Sequence, residues 1–171
     1  MEPATDWRSI LRERVQLFGH RNWIVIGDAA YPVQSSPGIE TVSAAAGQLE
    51  AIEETLAAIG ASGHARPIVY TDRELQFLTE ADAQGVDAYR GRLAELADAY
   101  DRRDLPHEEL VSRLDHAGKM FRILVVKTTM RLPYTTVFLN LDCAYWDAEA
   151  ERRLRAAMVL EAGGARRSPK P

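Results

Sequence analysis

The sequence contains few of the residues that build disulfide frameworks and metal centres. Cysteine occurs once, as Cys143, and histidine occurs four times in 171 residues. A single cysteine excludes an intrachain disulfide and suits a reducing compartment. So few histidines and cysteines also argue against a dedicated zinc site, and we expect no bound metal.

Long apolar runs and a strong excess of one charge are also missing. No run approaches the roughly 20 residues of a membrane-spanning helix. The net charge is -4, whereas proteins that bind duplex nucleic acid usually carry a basic patch. Residues 1–6 lack the basic and apolar regions of a secretory signal. The sequence therefore predicts a cytoplasmic protein that binds neither nucleic acid nor membranes.

The common catalytic and nucleotide-binding motifs are absent as well. No G-x-G-x-x-G follows a predicted strand, and no G-x-x-x-x-G-K-[ST] or G-x-S-x-G segment occurs. His107 and Glu108 open a possible H-E-x-x-H zinc motif, but position 111 is Val111, so the motif is incomplete. Binding of dinucleotides or of nucleotides through a P-loop therefore loses its strongest sequence cues.

The composition is that of one soluble α/β domain. Hydrophobic residues make up 46% of the chain and charged residues 27%, enough apolar material for a sizeable core. We predict one domain over residues 1–162, including a closing C-terminal helix, and a disordered tail over residues 163–171.

The hydrophobic periodicity predicts alternating helices and strands. Helices are expected over residues 7–18, 48–59, 74–83, 86–100, 106–117 and 147–160. Strands are expected over residues 23–26, 39–43, 67–71, 121–126 and 135–141. The charged segment at residues 98–104 is interpreted as a solvated helix end. This order favours a three-layer α/β/α fold with a mixed central sheet.

Two aspartates lie at the carboxyl ends of predicted strands, where ligands gather in open α/β sheets. Asp28 closes the first strand and Asp72 closes the third. His20 precedes the first strand, so it reaches the Asp28 end only through the fold or from a neighbouring subunit. Each residue also has a purely structural alternative: His20 as a partner of a helix end, and Asp28 as the cap of a turn.

The remaining polar groups suit a polyhydroxylated ligand, because carboxylates accept hydrogen bonds from hydroxyls while tyrosine, threonine and lysine donate or share them. The candidates are His20, Asp28, Asp72, His107, Lys127, Arg131, Tyr134 and neighbouring threonines such as Thr136. Asp72 and Lys127 are candidates only because they lie at strand ends.

Three segments resemble the D-ribose pyranase and L-fucose mutarotase family (RbsD/FucU). Residues 17–20 read Leu-Phe-Gly-His, and residues 24–29 form an apolar strand ending in Asp-Ala, with Pro32 shortly after. Residues 133–139 begin with a Pro-Tyr pair that opens a second apolar strand. Residues 106–110 are similar to a His-Glu segment of the pyranase branch. The resemblance spans most of residues 7–142.

The resemblance implies an RbsD-like fold and an enzyme that interconverts anomers or ring forms of a free monosaccharide without metal or cofactor. It implies a ring-like homo-oligomer, possibly a decamer, with sites built between neighbouring subunits. His20 then acts as the proton donor, Asp28 binds sugar hydroxyls, and Tyr134 and His107 belong to the same site. Histidine suits this chemistry because its pKa near 6.5 allows it to donate or accept a proton near neutral pH.

Several residues depart from the family pattern and keep two alternatives open. Thr136 stands where the pyranase branch has asparagine, and residues 127–131 replace the usual connection before Pro133. These changes favour a non-catalytic sugar-binding or assembly protein on the same fold. The other alternative is an isomerase or lyase of a modified sugar.

Overall fold

A computed structural model describes residues 6–165 of the chain. Within them, the five α-helices are α1 (Trp7–Leu17), α2 (Gln48–Ser62), α3 (Val86–Ala97), α4 (His107–Ala117) and α5 (Ala148–Ala165). The six strands are β1 (Trp23–Gly27), β2 (Ile39–Ser43), β3 (Ala65–Asp72), β4 (Asp101–Leu105), β5 (Ile123–Lys127) and β6 (Val137–Cys143). A short 3₁₀ helix (Arg73–Phe77) follows β3.

The six strands form one mixed sheet with the order β2-β5-β1-β6-β3-β4. Strands β1, β2 and β5 pair in parallel, as do β3 and β4. Strand β6 lies between β1 and β3 and is antiparallel to both. The carboxyl ends of the other five strands therefore meet at one edge of the sheet, and β6 begins at that same edge. We call this the carboxyl edge and the opposite one the amino edge.

Alternation along the strands divides the core into two layers. In β1, Ile24 and Ile26 pack with the helices α1, α2 and α3 on one face, whereas Trp23 and Val25 pack with α4 on the other. Strand β6 repeats the pattern, with Phe138 on the α4 face. Both faces of the central strands are buried, which explains their nearly continuous apolar sequences. The expected three-layer α/β/α architecture is confirmed.

The charged segment before α4 is a strand, so the prediction of a helix end there was wrong. Residues Asp101–Leu105 form β4 and pair in parallel with β3 at the rim of the sheet. An edge strand is open to solvent on one side, and charged side chains there discourage pairing with other chains. Because these residues show no alternation of apolar and polar side chains, hydrophobic periodicity did not predict the strand. Helix α3 ends at Ala97 instead of residue 100.

The helix predicted over residues 74–83 is also shorter than expected. Only the 3₁₀ helix Arg73–Phe77 forms, and turns follow it. The helix predicted over residues 147–160 corresponds to α5, which extends to Ala165. The disordered tail was predicted over residues 163–171, but residues 163–165 belong to α5, and residues 166–171 lie outside the described residues. No helix within residues 6–165 is long and apolar enough to cross a membrane.

Candidate functional site

The carboxyl edge gathers most of the polar residues that the sequence singled out. Asp28 follows β1, Asp72 ends β3 and Lys127 ends β5. His107 begins α4 two residues after β4 ends, and Thr136 directly precedes β6. Parallel strands place these positions side by side, as expected for a ligand site in an open α/β sheet.

His107 and Asp72 form a hydrogen-bonded pair at this edge. The His107 Nδ1 atom lies 3.0 Å from Asp72 Oδ2. The Asp72 side chain is completely buried, whereas 30% of the His107 side chain is exposed. Pairing of β3 with β4 aligns Asp72 with Leu105, and the chain then turns through Pro106 to place His107 beside the carboxylate.

The His107 backbone and ring have further partners. The carboxylate of Glu74 accepts the His107 backbone N–H, with both oxygens 3.1 Å from the nitrogen. The imidazole lies edge-on to the rings of Tyr134 and Phe138, with centroid distances of 5.8 Å and 6.5 Å. Contacts on these sides leave the imidazole little freedom to rotate.

The pKa values of both members of the pair are displaced upward. The hydrogen bond that His107 donates to the Asp72 carboxylate raises the pKa of His107, burial opposes this, and the charges of Asp72, Glu108 and Glu74 raise it further. Burial raises the pKa of the Asp72 carboxyl, and the nearby charges of Glu74 and Asp28 add to this, while His107 opposes it. The imidazolium form of His107 is thus favoured to a higher pH than in a free histidine.

Asp28 lies beside this pair and has its own buried partner. Its Oδ1 accepts a hydrogen bond from the Ala30 backbone N–H at 2.8 Å, which caps the turn after β1. Its Oδ2 accepts one from the Thr136 hydroxyl at 3.2 Å. Thr136 is almost completely buried and Asp28 is partly exposed. The site therefore presents two partly exposed groups, Asp28 and His107, each held from behind by a buried side chain.

Tyr134 and Lys127 complete the set on this edge. Tyr134 is 39% exposed and has a φ of 56°, a left-handed conformation that is uncommon for a residue with a bulky side chain. The strain points to a constrained connection before β6. Lys127 is partly exposed at the end of β5, and alternation places it on the α4 face with Val125.

A shallow depression of about 340 Å³ opens next to Asp28. Residues 28–30 form one wall, and residues 130–133, including Arg131, form the other. Its volume lies within the roughly 300–1,000 Å³ range of small-molecule sites. Residues 6–165 contain no group of three or more histidine, cysteine, aspartate or glutamate side chains arranged to hold a metal ion.

His20 lies at the amino edge, away from the other candidates. Its Nδ1 atom is 3.1 Å from Asp142 Oδ1, and 59% of its side chain is exposed. Arg66 donates to the other oxygen of Asp142 at 2.7 Å. Partial burial raises the pKa of the Asp142 carboxyl, but hydrogen bonds and the charge of the Arg66 guanidinium outweigh this effect and hold the pKa below its usual value. The whole length of β1 separates His20 from Asp28 within one chain.

A buried polar network that no sequence motif predicted supports the site from the opposite face. The Gln48 amide donates to the carbonyl oxygens of Ile26 and Thr135, each at 2.8 Å. Its oxygen accepts the Thr128 hydroxyl at 2.6 Å, and the Tyr89 hydroxyl also donates to the Thr135 carbonyl at 2.7 Å. Gln48 thus ties together the ends of β1 and β5 and the start of β6.

One sequence signal marks Gln48. It precedes Ile52 by four residues and Ile59 by eleven, so it falls on the apolar face of α2. A polar side chain on an apolar helix face needs buried hydrogen-bond partners, which the network supplies.

The paired titratable groups predict how stability depends on pH. A histidine with a raised pKa contributes stability that is complete below the unfolded value near 6.5 and is lost as the pH rises through its folded value. The raised pKa of Asp72 acts with the same sign, because the folded state then holds more protons than the unfolded state. The free energy of unfolding of wild-type protein, relative to Asp72→Asn, is therefore expected to fall as the pH rises above about 6.5.

Urea denaturation of both proteins between about pH 6 and pH 9 measures this difference. A difference that stays constant, or that grows with pH, contradicts the assignment of the pair.

Comparison with known proteins relies on structure. No protein-family model matches the sequence, and no curated protein matches it. RbsD of Bacillus subtilis, solved in complex with D-ribose, is 25% identical, with a TM-score of 0.55, over 83% of this chain and 98% of that chain. The chain has an RbsD/FucU-like fold. FucU from Bifidobacterium longum is 17% identical over 78% of this chain and 94% of that one, with a TM-score of 0.52.

A fucose mutarotase from Streptococcus pneumoniae, solved in complex with L-fucose, shares the RbsD/FucU-like fold. It is 14% identical over 76% of this chain and 89% of that one, with a TM-score of 0.51. The fold expected from residues 17–32, 106–110 and 133–139 is thus confirmed. Because nearly all of the Bacillus subtilis RbsD chain is covered, this protein contains that fold essentially whole and adds residues of its own.

Proposed function

We propose that this protein is an isomerase of the mutarotase or pyranase type, which interconverts anomers or ring forms of a free monosaccharide. The observation that carries the proposal is the pair of partly exposed groups at the carboxyl edge, Asp28 and His107, each fixed by a buried partner. The proposal is also supported by the likeness to RbsD, whose structure was solved with D-ribose.

The groups at this edge match the chemistry of a sugar. A carboxylate such as Asp28 accepts hydrogen bonds from hydroxyl groups, and Lys127 and Tyr134 add donors on the same edge. The depression beside Asp28 gives a monosaccharide a place to bind against the turn at residues 28–30. Thr136 is buried, so its role is to orient Asp28 rather than to touch the sugar.

Ring opening requires two proton transfers and no nucleophile. One group removes the proton of the anomeric hydroxyl while another protonates the ring oxygen, and the bond between the anomeric carbon and the ring oxygen breaks. Positioned acid and base groups accelerate such steps by about 10²–10⁴-fold. We assign His20 as the donor to the ring oxygen and place Tyr134 in the catalytic site beside it.

His20 serves a site at the carboxyl edge only if it comes from a second protomer. Strand β1 has five residues and spans about 17 Å at its usual rise per residue, which exceeds the reach of a histidine side chain. The amino edge of one protomer must therefore face the carboxyl edge of the next. Such a head-to-tail contact forms a ring when the rotation between successive protomers closes, as the ring-like homo-oligomer, possibly a decamer, expected from the family resemblance requires.

Saturation-transfer NMR on a panel of free aldoses tests the proposal. Wild-type protein is expected to accelerate anomer or ring-form exchange of at least one sugar, and Asp28→Asn to weaken binding about tenfold or more, since it removes a charged acceptor. Asp98→Asn, an exposed aspartate at the end of α3, is the matched control and should behave as wild type. No acceleration of any sugar by the wild-type assembly would refute the proposal.

One observation favours a second candidate, a non-catalytic sugar-binding protein on this fold. Within one protomer His20, the assigned proton donor, pairs with Asp142 at the amino edge and does not reach Asp28, so a single chain offers sugar-binding groups without that donor. This candidate predicts saturable sugar binding without exchange, and His20→Ala then changes no rate.

A further inference from the structure

We infer that Asp72 is a positioning residue that fixes the tautomer of His107, and that His107 is the base that takes the anomeric proton. The inference rests on the proposed function and assigns a role to a carboxylate that the sequence suggested as a direct sugar ligand. Complete burial of Asp72 leaves it no surface to offer to a sugar, whereas His107 is partly exposed.

The hydrogen bonds of Asp72 show what it does. Its Oδ2 contacts His107 Nδ1, and its Oδ1 is one of two buried side-chain polar atoms in residues 6–165 without a hydrogen-bond partner. A buried carboxylate that leaves an oxygen unsatisfied is costly. The His107 imidazole is therefore the main hydrogen-bond partner of the Asp72 carboxylate, and no second donor within the described residues shares it.

This contact decides which nitrogen of His107 faces outward. A carboxylate accepts hydrogen bonds, so the neutral imidazole donates Nδ1–H to Asp72 and keeps the lone pair on Nε2. In catalytic triads, an aspartate holds one nitrogen of the histidine in the same way, so that the other nitrogen faces the reacting group. Glu74 on the backbone N–H and the rings of Tyr134 and Phe138 hold the rest of the residue in place.

The proton that His107 takes from the sugar is balanced by the proton that His20 of a second protomer gives to it. His107 Nε2 takes the proton of the anomeric hydroxyl, and the electrons of that O–H bond form the carbonyl. The bond from the anomeric carbon to the ring oxygen breaks, and the ring oxygen takes the proton of His20. Closure on either face of the carbonyl reverses these steps. During the cycle the Asp72 carboxylate stabilises the imidazolium that forms at His107.

Nitrogen-15 NMR of the imidazole side chains tests the tautomer directly. The chain contains four histidines, and the His107 signals are assigned by their loss in His107→Gln. Wild-type protein is expected to show the Nδ1–H form of His107. In Asp72→Asn, the amide can donate to Nδ1, so the Nε2–H form should replace it and the pKa of His107 should fall. His116, exposed on the same helix, serves as the internal reference.

The kinetics of Asp72→Asn distinguish a role of Asp72 in orienting His107 from a role in folding alone. Asp72→Asn should lower kcat for sugar exchange about 10²-fold, the scale of one lost proton transfer, with little change in KM. The rising limb of its pH profile should move to lower pH. The other charged groups facing His107 are Glu74 and Glu108, and Glu108→Gln is the matched control that should shift this limb only slightly.

Two results overturn the inference. One is an Nε2–H tautomer of His107 in wild-type protein, which needs no variant and no activity. The other is an Asp72→Asn protein that loses activity while the tautomer and titration of His107 stay unchanged. If wild-type protein exchanges no sugar, the proposed function fails and the role of His107 as the base fails with it, while the tautomer spectra still decide whether Asp72 orients His107.

Discussion

An equal mixture of the His20→Ala and Asp28→Ala variants is expected to recover about one quarter of the wild-type rate of sugar exchange. Alone, His20→Ala should lose about 10²-fold or more and Asp28→Ala about tenfold or more. The reason is geometric: His20 and Asp28 lie at opposite edges of the sheet, and the proposed site takes one of them from each of two protomers. In a random mixed ring, about one quarter of the sites combine an intact His20 with an intact Asp28.

The experiment requires subunit exchange, which co-refolding of the two variants provides. A mixture of His20→Ala with the double variant His20→Ala/Asp28→Ala is the control, because no protomer then supplies an imidazole at position 20 and no recovery is expected. Full activity in a wild-type monomer, or no recovery in a co-assembled mixture, would show that the two residues do not share a site.

Replacement of Gln48 by leucine is expected to lower the free energy of unfolding by about 3 kcal/mol. The substitution removes three buried hydrogen bonds and leaves the Ile26 carbonyl and the Thr128 hydroxyl with fewer partners, and each buried group left unsatisfied costs about 1–3 kcal/mol. Chemical denaturation measures the change. Gln16→Leu, on an exposed position of α1, is the control and should change stability by less than about 0.5 kcal/mol.

The same variant should also disturb the candidate site. Gln48 anchors the Thr135 carbonyl, and Thr135 lies between Tyr134 and Thr136. A wild-type unfolding free energy in Gln48→Leu would mean that the network contributes nothing net, and unchanged sugar affinity would mean that it does not position the loop before β6.

The sequence predicted the central strands well because each of them is marked by a local run of apolar residues. Strands β1, β5 and β6 are buried on both faces and read as apolar, β-branched runs, so periodicity and composition identify them. Strand β4 has no such pattern, since it forms at the rim of the sheet and its side chains are charged. Only its pairing with β3 makes it a strand, and that contact is not local in the sequence.

The candidate site divides in the same way. The positions of Asp28 and Asp72 follow from one rule, that ligand sites form where parallel strands end. Burial of Asp72 behind His107 depends on the alignment of β3 with β4, a tertiary detail that no local pattern contains. Within one chain His20 lies at the amino edge, away from the other candidates, so its proposed role depends on an assembly that the sequence of one chain does not specify.

The direction of β6 also decides where helix α5 emerges. Because this one strand runs against its neighbours, it carries the chain from the carboxyl edge to the amino edge, and Ala148 at the start of α5 shares a surface cavity with Asp142 and Arg66. A fluorophore attached at Ala148 would therefore report on the docking of the second protomer that the proposal places beside His20. At this position it lies at the opposite edge of the sheet from the depression of its own chain.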